Sequence, residues 1–153
     1  METRDRVGLA GLVVLLLLIG CTKAYHGYPG PPRAESEIAV ITPDEGVRIH
    51  ALDEKVVNVR PGAARGLYVA HTRLHVRAGR YTLTLIPRGI TTIKTFTRLT
   101  VEVEAGKRYR VRSQFYPGAN DAVGSYKLWV ENETTGAVIS DIVESRNPFQ
   151  PNN

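Results

Sequence analysis

The chain carries one cysteine in 153 residues. A lone thiol excludes an internal disulfide framework. Aromatic side chains make up only 7% of the sequence. No stacking platform therefore interleaves the arginines, and the basic balance does not read as nucleic-acid binding. The longest apolar run, Val7 to Ile19, has 13 residues, short of the about 20 that a membrane-spanning helix needs. No window of 12 residues holds a helical period, so helix-based folds are excluded. Catalytic signatures are also missing: Ser36, Ser113, Ser125 and Ser140 lack a Gly-x-Ser-x-Gly setting. His71 and His75 are four apart, the spacing of a zinc pair on a helix. On a strand they stand about 13 Å apart and cannot share an ion. Neither a metal nor another cofactor is expected, and neither is an enzyme.

The N-terminus is richer. Arg4 and Arg6 precede the aliphatic stretch, which closes on Leu18-Ile19-Gly20-Cys21. A short basic region, an apolar segment of this length and a small residue before the cleavage point together read as a secretory signal. The last four residues resemble the lipobox of bacterial lipoproteins. That resemblance implies cleavage between Gly20 and Cys21, removal of residues 1–20, and acylation of Cys21 as the new N-terminus. Two or more acyl chains anchor stably where one does not, so the first expected partner is a lipid bilayer. Thr22 stands where Asp would hold enterobacterial lipoproteins in the inner membrane. The resemblance thus implies an outer-membrane address facing the periplasm.

Residues 21–34 come next, with Pro29, Pro31 and Pro32 among glycines and polar residues. This composition predicts an extended tether. The 13 residues from Thr22 to Ala34 would hold a domain up to about 40 Å from the bilayer. Residues 35–143 form one small domain, and 144–153 a flexible tail. The domain's code is β: apolar and polar residues alternate, Val, Ile, Thr and Tyr are enriched, and turn residues interrupt at short intervals. Strands are expected near 38–41, 47–52, 69–77, 81–86, 95–104, 109–115, 126–131 and 137–140. Eight short strands make an all-β fold, a small antiparallel β-sandwich.

Two Ala-Gly turns suggest hairpins. A two-residue loop at Ala78-Gly79 would pair Val76 with Tyr81 and Leu74 with Leu83, with the polar residues sharing the other face. A three-residue loop at Ala105-Gly106-Lys107 would pair Val103 with Tyr109 and Val101 with Val111. It would also set Glu104 across from Arg108 and Glu102 across from Arg110. The stretches Ile49 to Asp53, Arg77 to Leu85 and Val101 to Val111 resemble small envelope lipoproteins. They are also similar to PEGA and prealbumin-like modules, with Ala-Gly in place of Pro-Gly and an insertion at 61–66. The resemblance implies a prealbumin-like or immunoglobulin-like sandwich and transfers no catalytic residue.

The net charge is +5, and residues 1–20 hold two of each sign, so cleavage leaves it unchanged. Between Arg65 and Arg112 the only acids are Glu102 and Glu104. On the hairpin reading, His71, Arg73, His75, Arg77 and Arg80 share one face without an acidic partner. Two functions compete for a non-enzymatic envelope module. A binder of proteins, or an assembly element, would expose an apolar surface around Phe115 to Tyr126. A binder of anionic lipid, lipopolysaccharide or cell-wall glycan would keep the Arg and His stripe contiguous and unpaired.

Overall fold

The computed structural model describes residues 24–57, 73–87, 96–117 and 124–145. Residues 1–20 with Gly20, and also Cys21, His71, the insertion at 61–66 and the chain after 145, lie outside the described residues. The fold is an all-β sandwich of two sheets. In chain order the strands are β1 (Ala24–His26), β2 (Ala39–Pro43), β3 (Val47–Leu52), β4 (Lys55–Val56) and β5 (Arg73–Val76). They continue with β6 (Gly79–Pro87), β7 (Thr97–Val103), β8 (Arg108–Tyr116), β9 (Ser125–Asn132) and β10 (Val143–Ser145). One sheet has the order β1-β5-β2-β8-β9-β10, and the other β4-β3-β6-β7.

Burial follows the two-residue period of the sequence. β7 alternates Thr97, Leu99, Val101 and Val103 inward with Arg98, Thr100 and Glu102 outward. The inward sets of both sheets meet in one core containing Ile41, Ile49, Leu74, Leu83, Leu85, Val101, Val111 and Leu128. This is the packing of two inner faces expected of a sandwich. At about 25 cal/mol per Å² of buried apolar surface, this shared core is the main stabilising term.

Both expected hairpins are absent, and the reason is instructive. β5 lies in the six-stranded sheet and β6 in the four-stranded one, so the Ala78-Gly79 turn carries the chain across the sandwich. Leu74 is in register with Ile41 and Tyr25, while Leu83 is in register with Leu99 and Leu52. The Ala105-Gly106 turn is a second crossing: Val103 lies opposite Gly79, and Tyr109 opposite Ile41 and Asn132. A crossing between sheets keeps both strands apolar toward the core, as a hairpin does. Alternation alone cannot separate the two. Glu102 accordingly faces Arg80, not Arg110, and Glu104 is not the partner of Arg108.

The six-stranded sheet is mixed, because β1 runs parallel to β5 and β2 parallel to β8. The four-stranded sheet is antiparallel. Residues 137–140 form no strand and contribute a single bridge, Glu131 to Val138. The last strand is instead β10, paired to β9, so the sandwich runs into the expected tail.

The larger correction concerns the tether. Residues 24–26 form β1, and the chain after it folds back over the outer face of the six-stranded sheet. There Tyr28, 7% exposed, buries with Ile38 and Val40 in a second small core. Gly27 donates its N–H to the His75 carbonyl at 2.9 Å. The segment bends at 27–31 and turns through a short 3-10 helix at Glu35–Glu37, so it lies along the protein and not away from it.

The register also orients the molecule. β1 starts at the end of the sandwich where β8 stops and β9 begins. We call this the base. The turn at 44–46, the end of β6 at Pro87 and the start of β7 lie there too. The crossings at Ala78-Gly79 and Ala105-Gly106 and the turn at Asn132 to Gly136 lie at the opposite end, whereas the turn at 44–46 crosses between the sheets at the base.

Candidate functional site

Three surfaces gather chemistry, and the first is the charged outer face of β8 and β9. Arg110 lies 2.7 Å from Glu133 and 3.5 Å from Asp44. Arg112 lies 2.6 Å from Glu131 and 3.2 Å from Asp44. Trp129, half-buried on the same face, donates its indole N–H to Glu131 at 3.4 Å. The Arg112 guanidinium holds the Glu131 carboxyl below the ordinary carboxylate range. The basic run thus meets the acidic C-terminal segment, joined by the β8–β9 pairing. Exposed pairs of this kind contribute about 0.2–1 kcal/mol each, and a face so internally neutralised offers little to an outside anion.

The second surface is the docked N-terminal segment. His26 and His75 stand edge to face with ring centroids 5.2 Å apart. The Tyr28 hydroxyl shares a hydrogen bond with His26 Nδ1 at 3.0 Å and accepts the Arg33 N–H at 3.2 Å. Nδ1 is thus held, whereas the buried Nε2 of His75 and Nε of Arg73 have no hydrogen-bond partner. Burial, then the charges of His26, Arg73 and Arg108, push His75 below its ordinary value, with Glu35 opposing.

A histidine whose folded value is depressed stabilises the fold in its neutral form. That stability is present above the unfolded value of about 6.5 and is lost as pH falls below it. Between pH 7.5 and 5.5, amide exchange at Tyr25 to Tyr28, corrected for intrinsic chemistry, should therefore accelerate relative to the core of β6. Exchange in constant ratio across that range would contradict this.

The third surface is the base. The inward-facing row of β8 continues toward the base as Ser113 and Phe115. Phe115 is 53% exposed and lies 4.9 Å, centroid to centroid, from Tyr126. With Asp44, Glu45, Gly46 and Ser113 these two line an open cleft of about 480 Å³. Lys127 sits over the Tyr116 ring at 4.8 Å. Phe96, 45% exposed, opens β7 at the same end and packs 4.9 Å from His50. His50 sits in a β-bulge of β3, and the alternation breaks just after it, where Ala51 and Leu52 are both buried.

The Arg and His stripe does not survive as one face. Arg73 and His75 lie on the outer face of the six-stranded sheet, and Arg77 on the crossing. Arg80 is on the outer face of the other sheet opposite Glu102. The docked segment around Tyr28 escaped sequence reading, although the Tyr25, His26, Tyr28 alternation was its only signal. Among the described residues no three of His, Cys, Asp and Glu converge as a metal site, and no helix is long and apolar enough to cross a membrane.

The chain matches no family model, no curated protein and no solved structure. Its function must be argued from its own residues.

Proposed function

We propose that this chain is a bacterial lipoprotein, held in the outer membrane by acylated Cys21, whose non-enzymatic sandwich is a binding or structural module of the periplasmic envelope. The observation that carries the reading is the short sequence distance from the lipobox-like Cys21 to β1. Only Thr22 and Lys23 separate it from Ala24. A cysteine placed there disposes of its thiol by acylation and couples the sandwich directly to a bilayer. A protein partner or envelope assembly is the better role, because the cationic stripe needed by a glycan or lipopolysaccharide binder is divided between the two sheets.

The surface offered to such a protein is the outer face of the four-stranded sheet, which is turned away from β1. There Thr82 faces Thr100 and Thr84 faces Arg98 beside the edge strand β7. Cys21→Ala should abolish labelled palmitate incorporation and move the product out of the membrane fraction. Palmitate retained by this variant would refute the anchor. For the partner, a photocrosslinker at Thr100 in native envelopes should capture a protein. Capture of bulk lipid alone would refute that role.

A further inference from the structure

The strand register fixes how close the sandwich must sit to its anchor. Tyr25, Leu74, Ile41 and Tyr109 form one continuous row across the six-stranded sheet. β8 runs opposite to β1, so the direction upstream of Tyr25 is the direction downstream of Tyr109. Phe115 is six residues beyond that row, or about 20 Å toward the base at 3.3 Å per residue. Cys21 is four residues before it and reaches at most about 14 Å, even fully extended. The tip formed by Phe115 and Tyr126 therefore projects past the farthest point the anchor can reach.

We propose that the base of the sandwich is a bilayer-contact surface, with Phe115, Tyr126, Tyr116 and Phe96 seated in the lipid headgroup layer. This rests on the acylation of Cys21 given above. Three observations favour a bilayer over a protein as the occupant. First, the anchor is too short to lift the upright sandwich clear of the headgroups. Second, the aromatic residues cluster at the anchored end, as Tyr and Trp do where one side of a ring is apolar and the other wet. Phe115 continues the core-facing row of β8 and meets Tyr126 at 4.9 Å, yet 53% of it stays exposed.

Third, the charges at the base suit the interface. Lys127 lies over Tyr116 at the rim, and Asp44 is neutralised by Arg110 and Arg112. Glu45 adds a carboxylate to the cleft wall. The surface is thus suited to the headgroup layer as a whole and not to an anionic lipid in particular.

The test uses the full chain produced in a bacterial host, purified from membranes and reconstituted into phosphatidylethanolamine and phosphatidylglycerol vesicles. A spin label is placed at Phe115→Cys and, separately, at Tyr126→Cys in case the first variant disturbs the tip. A third label at Thr135→Cys marks the opposite end. Base labels should shift toward more oxygen and fewer nickel-chelate collisions on reconstitution, while the Thr135 label stays aqueous. Base labels as aqueous as Thr135 would overturn the contact. Labels shielded from both probes would also overturn it, since they would report a protein, including a second copy, on the tip. The mass of the Cys21 peptide is read on the same sample. An unmodified Cys21 refutes the anchor itself, whereas an acylated Cys21 with aqueous labels refutes only the bilayer contact.

Discussion

Replacing Leu74 with alanine should lower the unfolding free energy by about 2–5 kcal/mol, the usual cost of removing a fully buried leucine. Leu74 has no exposed surface and sits in the shared core. Its neighbours in register are Tyr25 on β1 and Ile41 on β2, so the cavity opens in the middle of the six-stranded sheet. For a domain stabilised by roughly 5–15 kcal/mol, that loss leaves a marginal fold, and the urea midpoint should fall steeply. The exposed Val56, at an edge of the other sheet, provides the contrast: Val56→Ala should shift the midpoint little. Equal shifts for the two variants would contradict the placement of the core.

The two-residue alternation made nearly every inward position legible, Leu74 among them. Val76, Leu83, Leu85, Val101, Val103, Tyr109 and Val111 are all buried, as their parity required. The same alternation misled about which strands are neighbours, because it records only that a residue faces the core. A turn that crosses between sheets satisfies that condition as well as a hairpin does. Gly79, at φ 151°, and Gly106, at φ 75°, supply the backbone freedom that either geometry needs. Charge reasoning built on the wrong neighbours failed with them: Arg110 found Glu133 and Asp44, not Glu102.

The candidate surface was legible in part. The sequence singled out Phe115 to Tyr126 as the place where a protein binder would expose an apolar surface, and Phe115 is indeed exposed. The docked segment from Ala24 to Ile38 was hidden for a physical reason: proline and glycine forbid helix and discourage sheet interiors, but they let the chain bend back over a sheet face. Composition says only that such a segment is largely irregular. Whether it is free or docked depends on a few side chains, here Tyr28 and Ile38, and on one glycine.

That glycine is Gly27, and Gly27→Val is expected to have the largest effect on function without unfolding the sandwich. A Cβ at Gly27 would stand 2.7 Å from Leu52 Cδ2, closer than packed atoms remain, and 3.0 Å from Val76 Cγ1, at the tight limit of such contacts. Both neighbours are themselves buried, so they have little room to yield. Overpacking of this kind costs about 1–3 kcal/mol, and a three-residue edge strand has few hydrogen bonds with which to oppose it. The segment should therefore leave the sheet while β2 to β10 remain paired. Amide protection would vanish from Tyr25 to Tyr28 and persist in β6 and β8. The consequence reaches the membrane. With the segment released, the 18 residues from Cys21 to Ile38 span up to about 55 Å at the 3.1 Å per residue of a proline-rich chain, in place of the few residues that hold the docked form. In the acylated protein, a label at Phe115 should then become aqueous while palmitate on Cys21 is retained. Unchanged protection at Tyr25 to Tyr28 in Gly27→Val would mean that the core accommodates the side chain and that docking does not depend on this close approach.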